Sequence, residues 1–496
     1  GKDHACAVLN DGNLMCWGSN DMGQLGIGVF GGTARTPVGP VNLGSGRTAK
    51  AVSCGDAYTC AILDDDTLKC WGVNSNGELG YGDFNVRRSV PEAAAVNLGA
   101  GRTAKAVSTG YEHTCAILDD DTLKCWGRNY LIGYGSTSGD TYAPKTTAVN
   151  LGSGRTAKSV SLQYEHTCAV LDDDTVKCWG YGSSGRLGYG GTNSLYSPPS
   201  STVNLGMGVT SISVGQYTSC AILTNGGVKC WGVNDKGQVG DGTTTQRNSP
   251  VDVDLGTGFT AKMVSIGRNS ACAVLNDDSI KCWGDNVYAQ FGTGNQLPSV
   301  DNLPTSTALP AGLTAKSVST CKTESTSTGS VCAVMNDDSI WCWGLNSNGL
   351  AGVGDIDSYI YVPTRVCITD DDCAAPSGPP GPPGNDGSPG AAGAPGAVAS
   401  GSNVTTVSGP PGPPGNDGSP GAAGAPGASS SSSSGNNTVY VYTYVNVSGP
   451  PGPAGPPGPG LDAYIDSEGN PVDAAVRRGA SLPMLALSTV LYLLLY

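Results

Sequence analysis

One pattern governs the first three-quarters of this chain. The triplet Cys-Trp-Gly occurs seven times, with its cysteine at positions 16, 70, 125, 178, 230, 282 and 342. A period near 50 residues marks a solenoid or a propeller before any other architecture. Seven copies suit a closed ring, which leaves no exposed sheet edge at the ends of the array. Each unit also reads as short strands. In the second, Ala49–Ser53, Thr59–Leu63 and Thr67–Trp71 are apolar runs, and a fourth run lies around Ala93–Leu98. Glycine, asparagine, aspartate and proline bound them, as strand ends require. No stretch sustains a helical period. The expected fold is all-β, a seven-bladed β-propeller over residues 1–373.

A second cysteine precedes each of the seven by ten residues. The pairs are Cys6 with Cys16, Cys60 with Cys70, Cys115 with Cys125, Cys168 with Cys178, Cys220 with Cys230, Cys272 with Cys282 and Cys332 with Cys342. Their midpoint falls on a turn, which for Cys60 and Cys70 is Asp65 in Asp64-Asp65-Asp66. A three-residue hairpin loop sets Leu63 opposite Thr67 and hence Cys60 opposite Cys70. Such loops take a left-handed third residue. Gly12 and Gly226 hold that place in two units, and Asp66, Asp121, Asp174, Asp278 and Asp338 in the others. Turn chemistry and cysteine spacing therefore agree on seven hairpin disulfides. Each would close an eleven-residue loop, worth roughly 2.5–3 kcal/mol of chain entropy. The alternatives are seven pairs of free thiols, or zinc, whose finger and ribbon spacings differ from this one. Four cysteines remain, Cys54, Cys321, Cys367 and Cys373. Cys367 and Cys373 are close enough in sequence to clip the end of the ring. Cys54 and Cys321 lie in units two and seven, and one of them could pair with sequence upstream of Gly1.

The residues after each tryptophan carry a resemblance. Unit one reads Trp17-Gly18-Ser19-Asn20, then Gly23-Gln24-Leu25-Gly26-Ile27-Gly28. Unit two has Trp71-Gly72-Val73-Asn74, then Gly77-Glu78-Leu79-Gly80-Tyr81-Gly82. Unit five has Trp231-Gly232-Val233-Asn234, then Gly237-Gln238-Val239-Gly240-Asp241-Gly242. This repeat resembles that of the regulator of chromosome condensation family, whose superfamily includes the secreted β-lactamase-inhibitor protein II. A Gly-x-x-His element is matched at Gly1–His4 and Gly110–His113, and the resemblance covers about residues 1–366. Units three and seven depart from it at Tyr130-Leu131-Ile132 and Leu350-Ala351, and Lys322–Gly329 lengthens one loop. The resemblance implies a seven-bladed propeller. It does not select a function, since propellers host many. The family's founding activity, guanine-nucleotide exchange on a small GTPase, is one implied alternative, and secreted protein inhibition is another.

Nothing in the chain assembles catalytic chemistry, so no enzyme activity and no cofactor are expected. The three histidines, His4, His113 and His166, share one repeat position. That points to a structural role. No nucleophile elbow, phosphate loop or zinc-protease helix is present. The seven repeat tryptophans read as blade packing, with Trp341 outside the pattern. The triple-acid turns Asp64–Asp66, Asp119–Asp121 and Asp172–Asp174 could gather calcium. Strand alternation, however, places them beside Arg47 and Lys50, Arg102 and Lys105, and Arg155 and Lys158, which would offset the acids. The opposite face carries the loops that vary most between units: Phe30–Pro37, Asp83–Pro91, Ser136–Pro144, Gly191–Pro199, Thr243–Pro250 and Asn295–Pro304. Varied loops on a rigid scaffold are where binding residues collect. A protein or glycan ligand is expected there. The net charge of −14, of which the first 373 residues hold −10, argues against nucleic acid.

The remainder has another composition. Gly378–Gly396 is a run of Gly-X-Y triplets that recurs at Gly409–Gly427, and a shorter run covers Gly449–Gly460. Glycine at every third place suits the crowded axis of a collagen triple helix. Residues 374–460 therefore read as a collagen-like, Ser/Gly-rich stalk that would form a homotrimer, or else a single-chain polyproline-II spacer. Glycosylation sequons stand at Asn403, Asn436 and Asn446. A polar spacer follows over 461–481 and a hydrophobic tail over 482–496. At 1.5 Å per residue the apolar stretch Met484–Tyr496 would span about 20 Å as a helix, against the ~30 Å of a bilayer core. It resembles a lipid-anchor attachment signal, with candidate sites Ser467, Gly469 and Asp473, the alternative being a short membrane anchor. The chain opens inside a repeat without an initiator methionine, so a missing signal peptide does not argue against secretion. Cysteine pairs, stalk and sequons together predict an extracellular or cell-surface binding or adhesion module.

Overall fold

The alternation of tight turns and six-residue runs builds seven antiparallel sheets arranged in sequence order. The computed structural model describes residues 1–368, apart from 86, 297–298, 321–328 and 355–357. Blades two, five, six and seven are four-stranded, and blades one, three and four are three-stranded. In blade two the strands run Ala49–Cys54, Tyr58–Leu63, Leu68–Val73 and Arg87–Arg88 from the inside outward. The inner strands Ala49–Cys54, Ala104–Thr109, Ala157–Leu162, Val209–Val214, Ala261–Ile266 and Ala315–Thr320 adjoin one another in turn around the centre. Blade one contributes His4–Val8, Leu14–Ser19 and Thr33–Val38. The outer edges of blades three and four are closed by single bridges, Gly127 to Thr141 and Gly180 to Leu195.

The hairpins follow the expected register. Cys60 faces Cys70 across the second and third strands of blade two. In the same way Cys6 faces Cys16, Cys115 faces Cys125, and Cys168 faces Cys178. Cys220 faces Cys230, Cys272 faces Cys282, and Cys332 faces Cys342. All seven pairs are disulfides. At the turns Asp66, Asp121, Asp174, Asp278 and Asp338 have φ of 62–66°, and Gly12 and Gly226 have φ of 80° and 79°. Aspartate tolerates that left-handed conformation because its short side chain bonds locally.

The fourth run expected at Ala93–Leu98 is not a strand. The outer strand of blade two is Arg87–Arg88, further up the chain. Val96 and Leu98 are nonetheless buried, and the Val96 amide donates to the Leu68 carbonyl at 2.8 Å. That single bond pins an extended link instead of building a ladder. The carbonyl of Leu98 accepts the Lys124 ammonium at 2.9 Å, which satisfies a lysine only 7% exposed. An apolar pair in sequence thus marks burial under the blade rather than pairing at its edge.

The core lies between blades, not within them. One apolar cluster joins Tyr58, Ile62, Leu68, Leu79 and Val96 of blade two to Val107, Leu118 and Trp126 of blade three. The seven tryptophans before glycine are at most 1% exposed. Each indole nitrogen donates to a main-chain carbonyl of the neighbouring blade. Trp71, Trp126, Trp179, Trp231, Trp283 and Trp343 reach Gln24, Glu78, Leu131, Arg186, Gln238 and Gln290, and Trp17 reaches Leu350 to close the ring, all at 2.8–3.0 Å. The departures in units three and seven change side chains at these places and keep the carbonyl. The eighth tryptophan, Trp341, stands outside this ring and donates to Ser339 Oγ at 2.7 Å.

Candidate interaction surface

The two ends of the hairpins give the molecule two chemically different faces. On one face each inner strand carries a bulge. The pairing steps from Ala49–Leu63 to Ala51–Ile62, and Lys50 is left outside the ladder. A bulge re-aims a side chain. Here it sends Lys50 to Asp66 at 2.7 Å, Lys105 to Asp121 at 2.7 Å, Lys158 to Asp174 at 2.6 Å and Lys262 to Asp278 at 2.6 Å. Arg47, Arg102 and Arg155 pair with Asp64, Asp119 and Asp172 at 3.1, 3.0 and 2.9 Å. The middle acid of each triple turn accepts a threonine hydroxyl, as Asp173 does from Thr175 at 2.7 Å. That bond holds the Asp173 carboxyl below its ordinary range. The acids considered for calcium therefore already have cations and hydroxyls as partners. Exposed pairs of this kind add little stability.

The opposite face has another character. It carries the links between inner and second strands and the loops that follow each tryptophan. Tyr111, Tyr164 and Tyr217 stand in a row across blades three to five, with ring centroids 5.0 and 6.1 Å apart. A second row, Tyr130, Tyr181 and Tyr196, has spacings of 5.1 and 6.4 Å. All six are half-buried. Two ion pairs sit among them. Arg128 Nη2 donates to Glu112 Oε1 at 2.8 Å, and Arg186 Nη1 donates to Glu165 Oε2 at 3.1 Å while its guanidinium lies 4.7 Å over the Tyr217 ring. Burial pushes the Glu112 carboxyl up to about 7, against the pull of Arg128.

The same face also exposes apolar side chains. Eleven large apolar side chains are exposed among the described residues. Ten of them, Met22, Ile27, Val29, Phe30, Phe84, Val90, Val287, Leu303, Tyr361 and Val362, lie on the loops after the tryptophan strands or on the outer strands those loops feed. Met207 is the exception. Phe84 is the most open, at 65%, and packs at 5.4 Å against Tyr142 of the next blade. Arg87 covers Phe30 at 4.9 Å. These ten fall in blades one, two, six and seven, which are neighbours in the ring, and the tyrosine rows take the other three. The variable loops were legible in the sequence. The tyrosine rows were not, because Tyr111, Tyr164 and Tyr217 are about 53 residues apart and meet only when the blades assemble.

The histidines have structural partners. His4, His113 and His166 are fully buried, and each Nε2 lies 2.9 Å from a hydroxyl of the following blade: Thr59, Thr167 or Ser219. Each hydroxyl spends its own hydrogen on a main-chain carbonyl, those of Gln24, Leu131 and Arg186. The imidazoles must therefore donate from Nε2. Their Nδ1 atoms are acceptors with no partner among the described residues. Of the leftover cysteines, Cys367 is buried and Cys54 half-buried. Cys321, Cys373, Asn403, Asn436, Asn446, Ser467, Gly469 and Asp473 lie outside the described residues, as do the collagen-like triplets and the hydrophobic tail. No helix among the described residues is long and apolar enough to cross a membrane.

Comparison with known proteins agrees with this architecture. A model of the RCC1-like domain matches residues 13–375, and a model of the regulator of chromosome condensation (RCC1) repeat matches residues 1–24. The ultraviolet-B receptor UVR8 of Arabidopsis thaliana is 29% identical over 300 residues, which is 60% of this chain and 66% of the receptor. Human E3 ubiquitin-protein ligase HERC2 is 27% identical over 308 residues, 62% of this chain but 6% of the ligase. This chain thus spans just under two-thirds of the receptor and a small part of the ligase. Yeast RCC1 (Prp20), in its crystal structure with Kap60, superposes with a TM-score of 0.62 at 19% identity, over 74% of this chain and 85% of that one. Human WBSCR16 superposes with a TM-score of 0.60 at 18% identity, over 71% and 93%. Those two likenesses concern the fold. With its propeller geometry, its ring of tryptophan bonds and a family model that matches most of its length, the chain belongs to the RCC1-like domain family.

Proposed function

We propose that this chain is a non-enzymatic binding module that docks a protein partner through its loop face. The observation that carries the reading is the placement of ten of the eleven exposed large apolar side chains on that face. Exposed apolar side chains gathered on one face, rather than scattered singly over the surface, favour an interaction site there. The tyrosine rows and their two ion pairs extend the surface with side chains that interfaces favour. Seven disulfides support work outside the reducing cytosol. On this reading the Gly-X-Y triplets present the module at a cell surface, as a trimer that gains avidity. A glycan ligand would use the tyrosines, and the tail would supply a lipid or membrane anchor. A regulatory role is the second reading. UVR8 is a receptor by name, and Prp20p of Saccharomyces cerevisiae has binding properties toward Gsp1p and histones.

The test uses the full chain from a secretory host, with a photo-crosslinking amino acid at Phe84 or, on the other face, at Met207. Illumination on intact cells should give a discrete adduct from position 84 and none from 207. Equal labelling from both positions overturns the loop-face assignment. Accelerated nucleotide release from a small GTPase would instead support the regulator.

A further inference from the structure

Where blade one meets blade two, a thiol lies against a hairpin disulfide. Cys54 ends the inner strand of blade two, paired with Thr59. Its Sγ, the Sγ of Cys6 and a ring nitrogen of His4 lie within 4.8 Å of one another. Cys6 is bonded to Cys16, whereas Cys54 is a free thiol. The last residue of the other inner strands is Thr109, Leu162, Val214, Ile266 or Thr320, so this interface alone among the described ones sets sulfur against the staple. The His4 ring donates from Nε2 to Thr59 and keeps a buried acceptor, Nδ1, without a partner. As a metal site the cluster would need Cys6 reduced. With Cys6 oxidised it holds one thiol and one imidazole, too few for a metal. A thiol beside a disulfide has another chemistry open to it, exchange through attack on the nearer sulfur.

We propose that Cys54, Cys6 and Cys16 form an intramolecular disulfide-exchange centre. The Cys54 thiolate attacks Cys6 Sγ, forming Cys6–Cys54 as the Cys6–Cys16 bond breaks. Cys16 leaves as the thiolate and takes up the proton that Cys54 released. One disulfide and one thiol exist before and after, so no external oxidant or reductant enters. The exchange moves a staple from within the first hairpin to between blades one and two. It also converts an inner-strand thiol that is half-buried into a buried one, since Cys16 is 0% exposed.

The experiment holds the full chain, from a secretory host, at pH 8 without redox reagents. It is then acid-quenched, alkylated with N-ethylmaleimide in denaturant and digested without reduction for mass spectrometry. The expected result is a Cys6–Cys54 peptide accompanied by an equal amount of alkylated Cys16. In Cys54→Ser both signals fall to background. Alkylation confined to Cys54 with Cys16 always bonded overturns the proposal, as does Cys54 bonded to Cys321 or exchange spread over other hairpins. A second variant, Cys16→Ala, leaves Cys6 and Cys54 as thiols. Oxidised glutathione should then give the Cys6–Cys54 bond with release of two glutathiones. Stable glutathione adducts on both sulfurs would show that the two cannot meet.

Discussion

At the scale of single residues, burial holds the imidazoles of His4, His113 and His166 below their ordinary range and makes them pH-sensitive. His113 is fully buried and donates only from Nε2, and that burial pushes its imidazole down to about 3 from an ordinary 6.5. The unfolded chain therefore binds a proton near pH 6.5 that the folded one refuses. Stability from this residue is complete above pH 6.5 and is lost as the pH falls toward 3. Between pH 6.5 and 5 the loss is about 2 kcal/mol, at roughly 1.4 kcal/mol per unit. His113→Gln keeps a donor for Thr167 but does not titrate. Urea titrations at the two pH values should show its stability falling by about 2 kcal/mol less than that of the natural chain. An equal fall in both proteins would mean that His113 is protonated in the fold.

At the scale of the element, the turn after each tryptophan is the unit that makes a propeller of a row of hairpins. In blade two Asn74 Oδ1 accepts the Leu79 amide at 3.0 Å, and the turn aims the Glu78 carbonyl at the Trp126 indole. Gly80 follows with φ +82°, and a Cβ there would lie 2.6 Å from Trp126 Nε1. Gly82 has a similar φ of +86° with nothing within 4 Å. The left-handed backbone alone costs a side chain about 1–2 kcal/mol. Gly82→Ala should lose about that much in equilibrium unfolding. Gly80→Ala should lose about 3 kcal/mol or more, since it also displaces the indole and its buried bond. Equal losses would show that the indole contact has no energetic weight. The hairpins were legible residue by residue, because the φ > 0 position and the cysteine register are local. The outer strand of blade two was not, because Ala93–Leu98 has a strand's composition and the choice between pairing and mere burial is made by its neighbours.

At the scale of the whole molecule, the bond from Trp17 to the Leu350 carbonyl joins parts of the chain 333 residues apart. The other six tryptophan bonds span 45–53 residues. Blades two to six are held on both sides by chain connections, whereas among the described residues the seam between blades seven and one is joined by non-covalent contacts such as the Trp17 bond. Trp17→Phe should therefore raise hydrogen exchange in both His4–Ser19 and Ile340–Gly349. Trp179→Phe, with the same bond removed inside the ring, should raise it only around Trp179 and Leu131. Identical patterns in the two variants would show that the seam is no weaker than any other junction.

The sequence by itself determined the number of blades, the hairpin register, the left-handed turn positions and the seven disulfides. The blade number comes from counting a period near 50 residues, and the others depend on residues within about ten places of one another, where spacing and backbone geometry leave few choices. It also pointed to a structural role for the histidines, by their shared repeat position. Only the tertiary structure decided what those histidines bond, that the repeat tryptophans clasp the neighbouring blade through a main-chain carbonyl, that tyrosines from three blades form two rows, and that Cys54 lies against Cys6. The physical reason is the same in each case. These contacts join residues from different repeats, and their distances are set by the closure of the ring, which no local pattern encodes.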